Sequence, residues 1–263
     1  MWMSIVLIFC LVVYGFGESG LNPHNLLLNE IMTREVPGQN QFIEIKRDPS
    51  VSDVELKGYS IIVAETTDTP KIAPNLVLRS GWDLGQTVMK RGRMFGIIGR
   101  RDYGSTIDDI LQFNPTSGTT KLKKRDPKIQ PEFDTASNWL TVDKPKIMVV
   151  GLLYNSEKSL FDPSVWSARF MDRVLGGKVL EYTKENLIDL VVVSGVQAAL
   201  QCNDLNFLQE ITGKEVKGMP CPSTAQTIFS INRCGNLFTA FTDTWKHGIP
   251  TPGQQVLLQN VYE

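Results

Sequence analysis

The sequence is poor in the residues that most site chemistry draws on. Among 263 residues there are two histidines, His24 and His247, and four cysteines, Cys10, Cys202, Cys221 and Cys234. No C-x-x-C or H-x-x-x-H pair occurs, which removes the ligand spacing of a structural zinc site, and both histidines read as surface residues. G-x-S-x-G is absent, and with it the nucleophile elbow of an α/β-hydrolase. There is no Walker loop and no G-x-G-x-x-G; the segment from Gly92 to Gly96 has neither the spacing nor the following helix. No EF-hand run of acidic ligands appears, and Asp108-Asp109 reads as a helix start or loop face before Ile110. Cys202 could meet His247 in space, but neither residue has the context that activates a thiolate. No catalytic residue, metal ligand or cofactor is assigned.

Charge of either sign is also scarce in the balance. The formal net charge is −1, so the molecule as a whole has no electrostatic bias toward nucleic acid or an anionic membrane. The local exception is Lys90, Arg91, Arg93, Arg100 and Arg101, echoed by the basic run at 121–125. Clustered Lys and Arg suit sulfate or phosphate, so these five residues form a candidate anion patch. The plainer reading is solvated loop charge flanking a strand.

Long apolar runs are missing beyond the first. Residues 1–17 contain no charged side chain, and Ile5–Tyr14 is apolar for about half the roughly 20 residues a spanning helix needs. Gly15 and Gly17 stand at −3 and −1 of a cut before Glu18, so 1–17 reads as a signal peptide. The expected product is secreted and extracellular, with no stable membrane insertion. Residues 18–263 have globular composition and no clean linker, and they read as a single elaborated domain. Removal of Cys10 leaves three cysteines in an oxidising compartment, hence one bridge and one odd thiol. Three pairings are open, and Cys221–Cys234 is favoured by short separation and the loop-like Pro220-Cys221-Pro222. No unobstructed N-x-S/T acceptor exists, because Pro115 blocks Asn114.

What the chain does have is a series of short β-branched or aliphatic runs separated by turn residues. The expected strands are Leu26–Met32, Gln41–Lys46, Leu56–Ala64, Leu76–Arg79, Arg93–Gly99, Lys146–Tyr154, Leu187–Ser194, Ala225–Asn232 and Leu237–Thr242. Phe42, Glu44 and Lys46 alternate with Ile43 and Ile45. The runs at 147–154 and 187–193 are apolar at consecutive positions, so they should be central and covered on both faces. Helices are expected over 165–175, with Pro163 in the first turn and Gly176-Gly177 as the stop, and over Gln197–Gly213. Residues 101–145 are polar and read as long loops. Glu30 and Glu44 invite suspicion as a catalytic pair because both lie inside apolar strands. The better account has each one bonded to neighbouring backbone or to an arginine, since a buried charge must be paired.

These strands resemble the extracellular relatives of the lamin-tail domain. The segments that carry the resemblance are Leu27-Leu28-Asn29-Glu30-Ile31, Phe42-Ile43-Glu44-Ile45, the Leu-x-Gly-Tyr pattern at Leu56, Gly58 and Tyr59, and the strand from Arg93 to Gly99. Asn186–Val192 adds an Asp ahead of a valine-rich run. The ending is similar to the family's Ser-x-x-Arg-Cys and Pro-Thr-Pro-Gly, here Ser230–Cys234 and Pro250-Thr251-Pro252-Gly253. Gln254-Gln255 replaces the usual Asn, and insertions around 65–90, 100–145 and 155–185 make this chain longer than the family's domain.

The resemblance implies a mainly β, immunoglobulin-like sandwich with long loops and one or two inserted helices. It implies structural roles for Asn29, Glu30, Glu44, Gly58, Arg233, Pro252 and Gly253. Arg233 would meet Glu30 or Glu44 as a bidentate ion pair, and Pro250 and Pro252 would fix an extended exit from the last strand. It transfers no catalytic residue. The expected function is a secreted, non-enzymatic binding or structural module whose partners are extracellular proteins or anionic glycans. One alternative is a hydrolase using inserted-loop carboxylates (Asp108, Asp109, Asp134, Glu157, Asp162). Another is a carrier with an apolar cavity beneath Trp139, Trp166 and Phe170.

Overall fold

The computed structural model describes residues 25–33, 41–66, 76–84, 88–91, 94–99, 110–113, 140, 142, 146–158, 160, 162, 177–195, 212, 230–234 and 245–253. The protein is mainly β with antiparallel sheets. In chain order the strands are β1 (Leu26–Met32), β2 (Phe42–Arg47), β3 (Val54–Glu55), β4 (Tyr59–Thr66), β5 (Leu76–Asp83), β6 (Val88–Met89), β7 (Phe95–Gly99), β8 (Ile110–Phe113) and β9 (Ile147–Tyr154). Helix α1 (Gly177–Asn186) follows, then β10 (Leu187–Ser194), β11 (Ser230–Arg233) and β12 (Trp245–Gly248). One sheet runs β12-β11-β1-β2-β7-β8 and a second runs β10-β9-β4-β5, while β3 and β6 form a short ribbon. Every pairing is antiparallel except β7 with β8, which is parallel.

The two sheets share one core. Ile43 and Ile45 of β2, with Leu26 and Leu28 of β1, meet Ile61 and Val63 of β4, Val150 and Leu152 of β9, and Val191 and Val193 of β10. The two-residue period of these positions follows from side chains alternating between faces of a strand. In β1 the period breaks. A register shift between Leu28 and Glu30 inserts an extra residue, so the core set Leu26 and Leu28 continues at Ile31 and Glu30 falls on the far face. A bulge of this kind re-aims side chains without ending the ladder.

The other face of the four-stranded sheet is covered too. Val149, Leu153, Leu190 and Val192 are buried there, and α1 lies against β9. A Cβ on Gly151 would come 3.1 Å from Ile62 and 3.2 Å from Leu187, so the small residue admits close neighbours. The C-terminal end of α1 is tied down by side chains. Asn186 donates to the Tyr182 carbonyl at 2.6 Å and accepts from Asn155 at 2.9 Å, and the Tyr182 hydroxyl donates to the Lys158 carbonyl. Helix ends leave carbonyls without partners, and Asn186 supplies one.

Several expectations shift. β1 and β10 lie where the apolar runs placed them, and β9 is interior as expected. β10, however, is an edge of its sheet among the described residues. Gly177 opens a helix, 177–186, which carries helix formers through Lys184 and Glu185. β8 lies in a stretch read as loop, and β12 was missed because Trp245-Lys246-His247-Gly248 has no apolar alternation. The helix at 165–175, most of that at 197–213 and the strand at 237–242 lie outside the described residues.

Gly58 is fixed by backbone geometry. Its φ is +89°, the Tyr59 amide donates to the Leu56 carbonyl at 3.1 Å across the turn, and an added Cβ would lie 2.5 Å from the Asn155 carbonyl oxygen. A side chain is disfavoured at that φ and has no space. Gly58→Ala is expected to lower stability by about 1–3 kcal/mol from backbone strain alone, measured by chemical denaturation; an unchanged midpoint would refute the assignment.

Candidate functional site

Among the described residues three carboxylates are wholly buried: Glu30, Glu44 and Asp189. A buried carboxylate is tolerated when donors surround it, and the residues that meet this need organise the site.

Asp189 sits at the start of the valine run in β10, beside a register shift between Leu187 and Asp189. Its Oδ2 accepts the Leu28 amide of β1 at 3.0 Å, and its Oδ1 accepts the Leu190 amide at 3.0 Å. The Arg233 guanidinium of β11 forms a buried ion pair with the same Oδ2. Arg233 Nε also donates to the Leu28 carbonyl at 2.7 Å. Both backbone groups of Leu28 are therefore taken by one ion pair that spans the two sheets. The guanidinium lies 4.7 Å from the Trp245 ring centroid, a distance at which the ring face attracts a cation. Arg233 was expected to pair with Glu30 or Glu44; its carboxylate partner is Asp189. The physical reason is parity: Arg233 falls on the core face with Ile231, while the bulge turns Glu30 to the other face.

On that other face Glu30 and Glu44 are opposite one another in the β1–β2 register, and Glu30 is also opposite Asn232 of β11. The donors come from the segment after β12. Thr251 gives Glu30 its amide at 3.1 Å to Oε1 and 3.2 Å to Oε2, and its hydroxyl at 3.2 Å. Gly253 donates its amide to Glu44 Oε2 at 2.5 Å, and Asn29 Nδ2 donates to Glu44 Oε1 at 2.6 Å. With its amide nitrogen turned toward Glu30, Asn232 donates at 3.2 Å and accepts from the Ser230 hydroxyl at 2.7 Å.

The prolines explain this pattern. In Pro250-Thr251-Pro252-Gly253 only residues 251 and 253 possess an amide N–H. Each of those two amides meets one of the two carboxylates. Gly253 holds φ at +74°, which suits glycine.

Burial raises the Glu30 carboxyl from 4.5 to about 7, offset in part by hydrogen bonds from Ser230 and Thr251. Such a difference corresponds to on the order of 3 kcal/mol between protonated and ionised forms. Glu44 is pushed well above its ordinary value, by burial first and then by the neighbouring Glu30 charge. The two titrate as a pair. Burial and the nearby Arg233 lower Lys46 on the same face as Glu44, although Glu44 itself draws it upward.

The sequence marked Asn29, Glu30, Glu44, Arg233, Pro252 and Gly253, and all six belong to this network or its strap. It gave no role to Thr251, whose amide and hydroxyl do the bonding, and it marked Asp189 only as the Asp ahead of the valine-rich run, without a partner. It also missed Arg47, a buried arginine that donates to the carbonyls of Asp48, Val51, Ser52 and Arg91. Gly58 lies apart from the network, in the turn before β4.

The basic residues are divided. Lys90 and Arg91 are exposed at the end of β6, with the Arg91 amide bonded to Asp53, whereas Arg93, Arg100 and Arg101 lie outside the described residues. Cys234 carries a buried free thiol, raised by burial, and its expected partner Cys221 lies outside the described residues. Burial lowers His247, and its Nδ1, like the buried Trp245 Nε1, has no hydrogen-bond partner among the described residues. Glu157 is exposed and Asp162 half-buried; Asp108, Asp109, Asp134, Trp139, Trp166 and Phe170 lie outside the described residues. No group of three His, Cys, Asp or Glu side chains arranged to hold a metal occurs among the described residues.

No protein-family model matches the chain, and neither a curated protein nor a solved structure matches it.

Arg233→Ala strands the Asp189 carboxylate, a change that typically costs about 3–5 kcal/mol. Denaturant unfolding is expected to show that loss with the slope little changed. A loss under about 1 kcal/mol would mean that the pair does not hold the sheets together.

Proposed function

We propose that the chain is a secreted, non-enzymatic binding or structural module on a lamin-tail-like, immunoglobulin-like β-sandwich. Its partners are extracellular proteins or anionic glycans. The observation that carries this reading is the convergence of Asn29, Glu30, Glu44, Arg233 and Gly253, all residues of the resemblance, on buried bonds that close the fold. Two carboxylates inside strands would suit acid–base catalysis if a substrate could reach them. Here both are fully buried, and their oxygens accept from Asn29, Thr251 and Gly253. That arrangement supports a structural role for the motif and leaves recognition to loops and surface. The exposed Lys90 and Arg91 support an anionic partner.

The test is the protein recovered from the medium of secreting cells, alkylated without reduction, then weighed intact. The expected mass is that of residues 18–263 with one alkylated cysteine, which accords with one bridge among the three remaining cysteines. Protein held in the cells, retaining Met1 and with every cysteine alkylated, would overturn the secreted reading. Retention on a sulfated polysaccharide, lost when Lys90 and Arg91 are replaced by Glu, is the outcome expected for a glycan partner; no retention would leave extracellular proteins as the partner class.

A further inference from the structure

The segment after β6 carries the exposed Lys90 and Arg91, and the charged side chains around it divide between holding backbone and facing solvent. We propose that Asp53 is a positioning residue for an oxyanion site. Together with Arg47 it fixes the backbone of Arg91, so that the Arg91 guanidinium and the neighbouring Lys90 are presented to a sulfate group of an anionic glycan. That role rests on an anionic glycan being the partner, and it adds what shapes the contact.

Two stretches distant in sequence meet here through the β3–β6 ribbon, in which Val54 pairs with Met89 and Glu55 with Val88. Just beyond those pairs, the Asp53 carboxylate accepts the Arg91 amide at 2.9 Å. The Arg91 carbonyl accepts from the Arg47 guanidinium at 2.5 Å. Both backbone groups of Arg91 are therefore held by side chains, 38 and 44 positions away in sequence. Arg47 is itself firmly seated. It is 1% exposed, it donates to the Asp48 and Ser52 carbonyls at 3.1 Å each and to that of Val51, and its amide donates to the Met94 carbonyl at 2.8 Å.

The acids beside these cations bond to neighbouring amides. Asp53 takes the Arg91 amide, and Asp48 Oδ1 takes the Ser50 amide at 2.8 Å and the Ser50 hydroxyl at 2.6 Å. The side chains of Lys90 and Arg91 are exposed and form no ion pair among the described residues. A guanidinium offers its N–H donors in a planar fork that fits two oxygens of a sulfate, and an ammonium adds a point charge. Ordering a long side chain on binding costs affinity. With the Arg91 backbone already held at both ends, only its side chain remains to be ordered. Asp53, an acid that by charge alone would repel a polyanion, thus assists its binding.

The sign of that effect separates position from charge, and heparin at fixed ionic strength is the probe. Asp53 is exposed, so its replacement does not open the core. Asp53→Ala and Asp53→Asn remove the same charge, but only Asn keeps an oxygen that can accept the Arg91 amide. Asp53→Ala is expected to bind heparin about threefold to tenfold more weakly than Asp53→Asn. Without heparin, hydrogen exchange at the Arg91 amide should be faster in Asp53→Ala than in Asp53→Asn by about the same factor. Equal affinities, tighter binding by Asp53→Ala, or equal exchange at Arg91 would each overturn the positioning role and leave the anionic-glycan reading standing. Failure of the unaltered protein to bind heparin would remove that reading and the positioning role with it. So would binding that survives replacement of both Lys90 and Arg91 by Glu, which would place the contact elsewhere.

Discussion

Asp189 is an ionisable carboxylate set in a valine run between two sheets, and much of the architecture can be read as a response to it. A charge in such a place requires donors from whatever lies opposite. They come from Leu28 and Arg233 of the other sheet, so the requirement also fixes how the sheets meet. The register shifts at Leu28/Glu30 and Leu187/Asp189 are the local irregularities that bring the pair together. Hydrophobic burial makes the sheets associate, but it is not directional. The ion pair and its hydrogen bonds to Leu28 supply direction, because a slip of one residue would leave Asp189 buried and alone.

The same logic operates on the far face of the six-stranded sheet with a different solution. Among the described residues no arginine meets Glu30 or Glu44 there. Instead the chain returns after β12 and offers backbone amides. Alternating prolines remove the N–H groups that the segment has no use for and leave two donors for two acids. One bulge in β1 separates the two solutions: Leu28 faces Asp189 on one side, and two residues later Glu30 faces the strap on the other.

Much of this was legible in the sequence where physics is local. The apolar runs at 26–32 and 187–194 lie where β1 and β10 lie, because unbroken burial on both faces admits few alternatives. Glu30 and Glu44 were recognisable as buried acids needing partners. The partner of Arg233 was not readable, because it depends on which face each residue takes, and the bulge at Leu28/Glu30 inverts that parity. Thr251 was passed over because its contribution is largely a backbone amide, which any residue but proline owns. Arg47 ends a half-polar strand and looks solvated, yet a loop of carbonyls closes over it. β12 lacks any period of its own and is marked only by its pairing with β11.

The central claim is that Asp189 and Arg233 stabilise the fold together and not separately. A double-mutant cycle with Asp189→Leu and Arg233→Met, followed by denaturant unfolding, addresses it most directly. Each single change leaves one buried charge alone and should cost about 3–5 kcal/mol, while the double change removes both charges and should cost clearly less than the sum, with coupling above about 2 kcal/mol. Additive losses, within about 0.5 kcal/mol of the sum, would contradict the account.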